Sequence, residues 1–164
     1  MIKTNENHSA RGLKAKSFFE SGYNCAQSVV LAFTEEMGMD AETASKLASP
    51  FGAGMGRLRE VCGAFSGSLF VIGNLFGVSD PLDAEGKGAL YKDIQDLASK
   101  FRAANGSLIC RELLHLSEKS SAPTPEARTQ EYYRNRPCGE IIAKVTDLLE
   151  DYVATRQQSA PSNK

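Results

Sequence analysis

Four cysteines, Cys25, Cys62, Cys110 and Cys138, are spread along a chain of 164 residues, each in a separate helical segment. Three stand where a helix should begin. Cys25 follows Tyr23-Asn24, Cys110 precedes Arg111-Glu112-Leu113-Leu114, and Cys138 lies between Pro137 and Gly139-Glu140-Ile141-Ile142. A helix start carries unpaired N–H groups and partial positive charge, which favour a thiolate over a thiol. The thiolate is the form that attacks, cycles with disulfides or binds metal.

Cys62 reads differently. Cys62-Gly63-Ala64-Phe65-Ser66-Gly67 falls inside the most apolar helical stretch, with Gly63 and Gly67 four apart on one side. Each glycine in a helix interior costs about 1 kcal/mol relative to alanine. The offsetting gain is close approach beside Cys62, either by another helix or by a cofactor or ligand held at Gly63 and Gly67. That placement makes Cys62 the expected hub of the set.

Three chemistries fit four dispersed cysteines. The first is dithiol–disulfide exchange, in which a helix-start thiolate attacks and a second cysteine resolves the mixed disulfide, as in a thiol-dependent oxidoreductase. Paired cysteines need Cα atoms within about 7 Å. With no CxxC motif the fold must assemble the pairs, and Cys25 with Cys62 and Cys110 with Cys138 is the pairing expected among three connectivities. The second chemistry places all four thiolates on one Zn²⁺ or an iron–sulfur cluster, a tetrahedral ligand number. It lacks the close cysteine pair usual in such sites. His8, expected in a frayed terminus, and His115, expected to be structural, are the only imidazoles. In the third, the cysteines are inert buried small hydrophobes of a helical interaction module.

Arg57, Arg59 and Glu60 precede Cys62 by about one turn, where an arginine suits a thiolate or an anionic substrate. Glu112 and Glu140 each follow a cysteine by two residues and are candidate proton acceptors, although first-turn acids also complement the helix dipole. Ser66 is expected to bond its own helix backbone. The loop Phe51-Gly52-Ala53-Gly54-Met55-Gly56 lacks the Lys-Ser/Thr ending and preceding strand of a phosphate loop, so its expected use is close passage beside the cysteines.

Gly22-Tyr23-Asn24-Cys25-Ala26, the glycine-rich 51–56 loop, Cys62-Gly63-Ala64-Phe65-Ser66-Gly67, and then Cys110 and Cys138 resemble the C_GCAxxG_C_C family of redox-active proteins. The resemblance runs from about Ser9 to Tyr152, with the signature cysteines in order. It implies a compact helical protein whose four cysteines act together. Its association with transporter loci implies redox or metal handling and names no substrate.

The elements that must position these residues are all helical. Apolar residues recur at helical spacing almost throughout, and no alternating strand appears. The first helix spans about Ser9 to Glu20. Asn24 caps a second that stops near Gly38, and Asp40 caps a third ending at Pro50. The central helix is expected from about Leu58 to Phe76. A long amphipathic helix follows Asp80-Pro81-Leu82-Asp83 and stops at Asn105-Gly106, with Leu90, Ile94, Leu97 and Phe101 on one face. A short helix begins at Cys110, and Pro137 opens the last, which carries Ile141, Ile142, Val145, Leu148, Leu149 and Val153. Tyr132 and Tyr133 are packing residues. The expected architecture is an all-α bundle of five to seven helices forming one domain over 9–155. Residues 1–8 are expected to be flexible and 156–164 disordered.

Composition narrows the partners. With 41% hydrophobic and 24% charged residues the chain suits a soluble globular domain. A net charge of −1 from 19 basic and 20 acidic residues, scattered rather than striped, argues against nucleic acid. No apolar run is long enough to span a bilayer, and residues 1–8 show no signal-like apolar region, so no membrane insertion and a cytoplasmic location are expected. Dispersed cysteines there are more often catalytic or metal-binding than permanently cross-linked. The partner expected is a redox protein or a small-molecule substrate, and the glycine-lined helix leaves a homo-oligomer open.

Overall fold

The computed structural model describes residues 7–118 and 121–159. Nine helices carry them: α1 (Ala10–Glu20), α2 (Cys25–Leu31), α3 (Thr34–Met37), α4 (Ala41–Ala48), α5 (Gly63–Phe76), α6 (Ala84–Asn105), α7 (Cys110–Leu113), α8 (Gln130–Asn135) and α9 (Cys138–Ser159). Among the described residues the only β contact is an isolated antiparallel bridge between Val61 and Ile109. The all-α expectation holds.

Helix starts follow local chemistry. Ser9, Asn24, Asp40, Asp83 and Thr129 each accept a hydrogen bond from a first-turn amide. Asn24 and Gln27 complete a reciprocal capping box. α5 is buried between α2, α6 and α9, and α1 lies along α9. The core gathers Phe19, Phe33, Phe101, Ile72, Ile142 and Leu149, with the Phe65 and Phe101 rings meeting edge to face at 5.5 Å.

Three boundaries differ from the sequence expectation. The second predicted helix breaks at Ala32-Phe33, giving α2 and α3. The central helix begins at Gly63 rather than near Leu58, because residues 59–62 are drawn into extended pairing with 108–111. The Cys62 amide donates to the Leu108 carbonyl at 2.8 Å, and the Cys110 amide donates to the Glu60 carbonyl at 2.6 Å. Backbone amides committed sideways cannot close helical turns. Arg57, Arg59 and Glu60 therefore belong to a loop. Finally, α9 continues through Ser159, past the predicted tail start at Arg156; residues 160–164 lie outside the described set.

His8 is not frayed. Its ring bonds Asp147 at 2.7 Å and Glu140 at 3.1 Å, pinning the entry to α1 against α9; residues 1–6 lie outside the described set. No helix among the described residues is long and apolar enough to cross a membrane.

Candidate functional site

All four cysteines occupy helix N-termini. Cys25, Cys110 and Cys138 are the first residues of α2, α7 and α9, and Cys62 is the N-cap residue of α5. The Cys62 expectation is corrected here, and the correction strengthens the pattern. The helix ends converge, so that all four side chains line one cavity of about 20 Å³, roughly enough for a single water.

Glycines make this convergence physically possible. A Cβ on Gly63 would lie 2.9 Å from the Phe51 carbonyl and 3.2 Å from the Cys25 Cβ. One on Gly67 would lie 2.8 Å from the Ala26 carbonyl. The space at Gly63 and Gly67, considered above for a cofactor, is filled by protein: it brings α2 onto α5 and Cys25 towards Cys62.

The glycine-rich loop contributes a turn the sequence did not reveal. Ala53, Gly54, Met55, Gly56 and Arg57 all have positive φ, between 53° and 72°, a left-handed turn closed by the Gly56 amide on the Gly52 carbonyl at 2.8 Å. Left-handed backbone costs a non-glycine residue roughly 1–2 kcal/mol, and Ala53, Met55 and Arg57 all bear it. At Gly54 the close approach is the reason for glycine: a Cβ would sit 2.7 Å from the Cys110 Cβ. The turn wraps the chain around Cys110 and delivers Arg57 and Arg59 to the site, a use of strain common at functional positions.

The four sulfurs are electrostatically unequal. Cys62 and Cys110 are buried, whereas Cys25 and Cys138 are partly exposed, and all four are free thiols. The thiol of Cys25 hydrogen-bonds the sulfur of Cys138; that bond, with Arg136 and Arg128 nearby and against the cost of burial, lowers the Cys138 pKa to about 7. Cys25 is pushed the other way, first by the same bond and then by burial. Burial drives Cys62 up to about 12, although the amides of Ala64 and Phe65 oppose it. Burial also raises Cys110, against the pull of Arg59, whose Nη1 lies 3.8 Å from its sulfur.

Cys62 is therefore far harder to ionise than Cys138, and it does not border the outer cavity. Cys25 interacts most strongly with Cys138; all four cysteines are free, and neither of the expected pairs, Cys25 with Cys62 and Cys110 with Cys138, is bonded. Glu112 bonds Ser107, and Glu140 is held by Lys16 and His8, so both acids are engaged away from the sulfurs. Ser66 bonds the Cys62 carbonyl at 3.3 Å, within its own helix, as expected.

A second cavity, of about 480 Å³, lies outside the first and is bordered by Cys25, Cys110 and Cys138 but not Cys62. Arg57, Arg59, Arg128 and Arg136 line it together with a single carboxylate, Glu126. Arg59 is 2% exposed and donates to Ser121 at 2.8 Å, while Arg136 stacks over Tyr132 at 4.5 Å. Arg128 and Arg136 escaped the sequence reading, because a loop arginine remote from the motif has no local signal. Arg136, two residues before Cys138, was the one position where proximity offered a hint.

Among the described residues no group of three or more Cys, His, Asp or Glu side chains is placed to hold a metal ion. As arranged, the donor set does not form the site of the zinc or iron–sulfur alternative.

A family model described as "Putative redox-active protein (C_GCAxxG_C_C)" matches residues 23–152. No curated protein and no solved structure matches significantly.

Proposed function

The chain belongs to the C_GCAxxG_C_C family, and from that premise we propose that it performs thiol–disulfide exchange, with Cys138 as the attacking thiolate and Cys25 as the resolving thiol. The observation that carries this reading is the meeting of Cys25 and Cys138 in one small cavity, where their interaction raises the pKa of Cys25 and lowers that of Cys138. An attacking thiol is most effective when its pKa lies near the ambient pH.

The Cys138 thiolate attacks one sulfur of a disulfide substrate; a Cys138–substrate S–S bond forms and the substrate S–S bond breaks, releasing a thiolate that takes up a proton. Cys25 then loses its proton and attacks the Cys138 sulfur, forming the Cys25–Cys138 disulfide and releasing the second substrate half as a thiol. The protein dithiol is oxidised and one substrate disulfide becomes two thiols. Cys110 borders the outer cavity with this pair and Cys62 does not, and both interact electrostatically with Cys138.

Trapping the mixed disulfide tests the assignment. With Cys25→Ser the intermediate cannot be resolved, and intact-mass spectrometry after exposure to a small disulfide should show one adduct, located at Cys138. An adduct at Cys62, or none in a variant that remains folded, overturns the assignment.

A further inference from the structure

The exchange reading leaves the substrate unspecified, and the outer cavity supplies its class. Four guanidinium groups face one carboxylate there, leaving three positive charges in excess, or two when Cys138 is ionised. The single acid is shared: Glu126 lies 2.5 Å from Arg136, 3.6 Å from Arg59 and 3.9 Å from Arg57. Arg128 is held instead by the aromatic faces of Phe19 and Tyr132, at 4.9 and 4.8 Å, and by the Tyr23 carbonyl. An arginine cluster built only for stability would be matched by counter-charges, since unpaired like charges in a shared cleft repel. Here three of the cations compete for one carboxylate that is itself about half exposed. An incoming carboxylate can take the place of Glu126 on this surface.

Size and lining restrict the ligand further. Leu114, Pro123 and Pro125 add apolar surface to the lining. A bare tetrahedral oxyanion would leave most of a 480 Å³ space empty, whereas organic ligands typically occupy cavities of about 300–1,000 Å³. The floor holds Cys25, Cys110 and Cys138, so a ligand filling the cavity meets the reactive sulfurs directly.

We propose that the substrate is a small organic disulfide bearing carboxylate groups, with its carboxylates on Arg57, Arg128 and Arg136 and its S–S bond against Cys138. This rests on the exchange reading above. Binding between guanidinium and carboxylate is planar and two-pronged, which orients the disulfide as well as attracting it. As the substrate bond breaks, the released sulfur carries negative charge within the same cationic field, which also stabilises the leaving thiolate.

The full chain, reduced, is mixed with three disulfides of similar size and different charge: 3,3′-dithiodipropionate (anionic), 2-hydroxyethyl disulfide (neutral) and cystamine (cationic). Oxidation of the Cys25–Cys138 pair is followed by thiol loss and mass. A free thiolate reacts fastest with the cationic reagent and slowest with the anionic one, by simple charge attraction. The protein should reverse that order, with the anionic reagent about tenfold faster than the neutral one at low ionic strength, as electrostatic focusing in a cleft produces. The preference should shrink with added salt. It should also shrink in Arg57→Gln and Arg128→Gln, read as the ratio of anionic to neutral rates with circular dichroism as the folding control. If a variant does not fold, the salt dependence of the unmodified chain still decides. A rate order like that of a free thiol overturns the substrate class and leaves exchange standing. No oxidation of Cys25 and Cys138 by any of the three overturns the exchange reading itself.

Discussion

Cys25 and Cys138, the first residues of α2 and α9, line one small cavity, and their interaction there separates two chemically identical groups. Neither helix end produces the difference alone, because both cysteines are the first residue of their helix. Arg136 and Arg128 lower the pKa of Cys138 and break the tie. The negative charge settles on Cys138 and the proton stays on Cys25.

Alkylation kinetics should reveal that asymmetry. Cys138 should react with iodoacetamide at half its maximal rate near pH 7, where its pKa lies, and before the other three. Cys25→Ala removes the donor, so the Cys138 midpoint should move upward. Peptide mapping of labelled protein across pH 5–10 is the check, and an unmoved midpoint would count against the hydrogen bond.

Cys62 should make the fold sensitive to alkali. Its folded pKa of about 12 stands above the ordinary thiol value of 9.0. Between these values the unfolded chain has released a proton that the folded chain retains, so stability is full below about pH 9 and falls as pH rises towards 12. One such group gives a slope of about 1.4 kcal/mol per pH unit in that window. Denaturant titrations at pH 8 to 10.5 should show this loss, and Cys62→Ala should make it shallower, Cys25 and Cys110 keeping their own share, while the Cys138 adduct still forms.

Two glycines of α5 should respond oppositely to alanine. At Gly67 the new Cβ would meet the Ala26 carbonyl at 2.8 Å, backbone against backbone, with no side chain able to yield. Overpacking of this kind costs typically 1–3 kcal/mol, more than the about 1 kcal/mol of helix propensity gained. At Gly73 nothing lies within 4 Å, so Gly73→Ala should raise stability by up to about 1 kcal/mol. Thermal melts of the two variants, expected to move apart by roughly 2–4 °C per kcal/mol, test the claim that Gly67 exists for helix contact.

His8 should tie stability to mildly acidic pH. Burial lowers its pKa, but bonds to Asp147 and Glu140 more than offset this and raise it above 6.5. A raised histidine stabilises fully below its unfolded value and loses that contribution as pH climbs through the folded one. Glu140 also pairs with Lys16, and Asp147 also accepts from Ser9, so the acids stay ordered after His8 is neutralised. The melting temperature should fall modestly above pH 6.5, and His8→Gln should lose that dependence.

Local patterns in the chain determined much of this protein. Helical periodicity determined the class, and Asn24, Asp40 and Asp83 marked helix starts because a cap bonds within three residues of itself. The Gly63–Gly67 spacing marked a close crossing for the same reason: its cause lies within one helical turn. What tertiary structure decided was the ranking of the sulfurs. The Cys25–Cys138 contact, the burial of Cys62 and the gathering of Arg57, Arg59, Arg128 and Arg136 join positions remote along the chain, which local preference does not encode. Even the start of α5 was settled from afar, by carbonyls at Leu108 and Glu60 pairing across two segments. A thiol's acidity depends on the field where it comes to rest, and that field is assembled by folding.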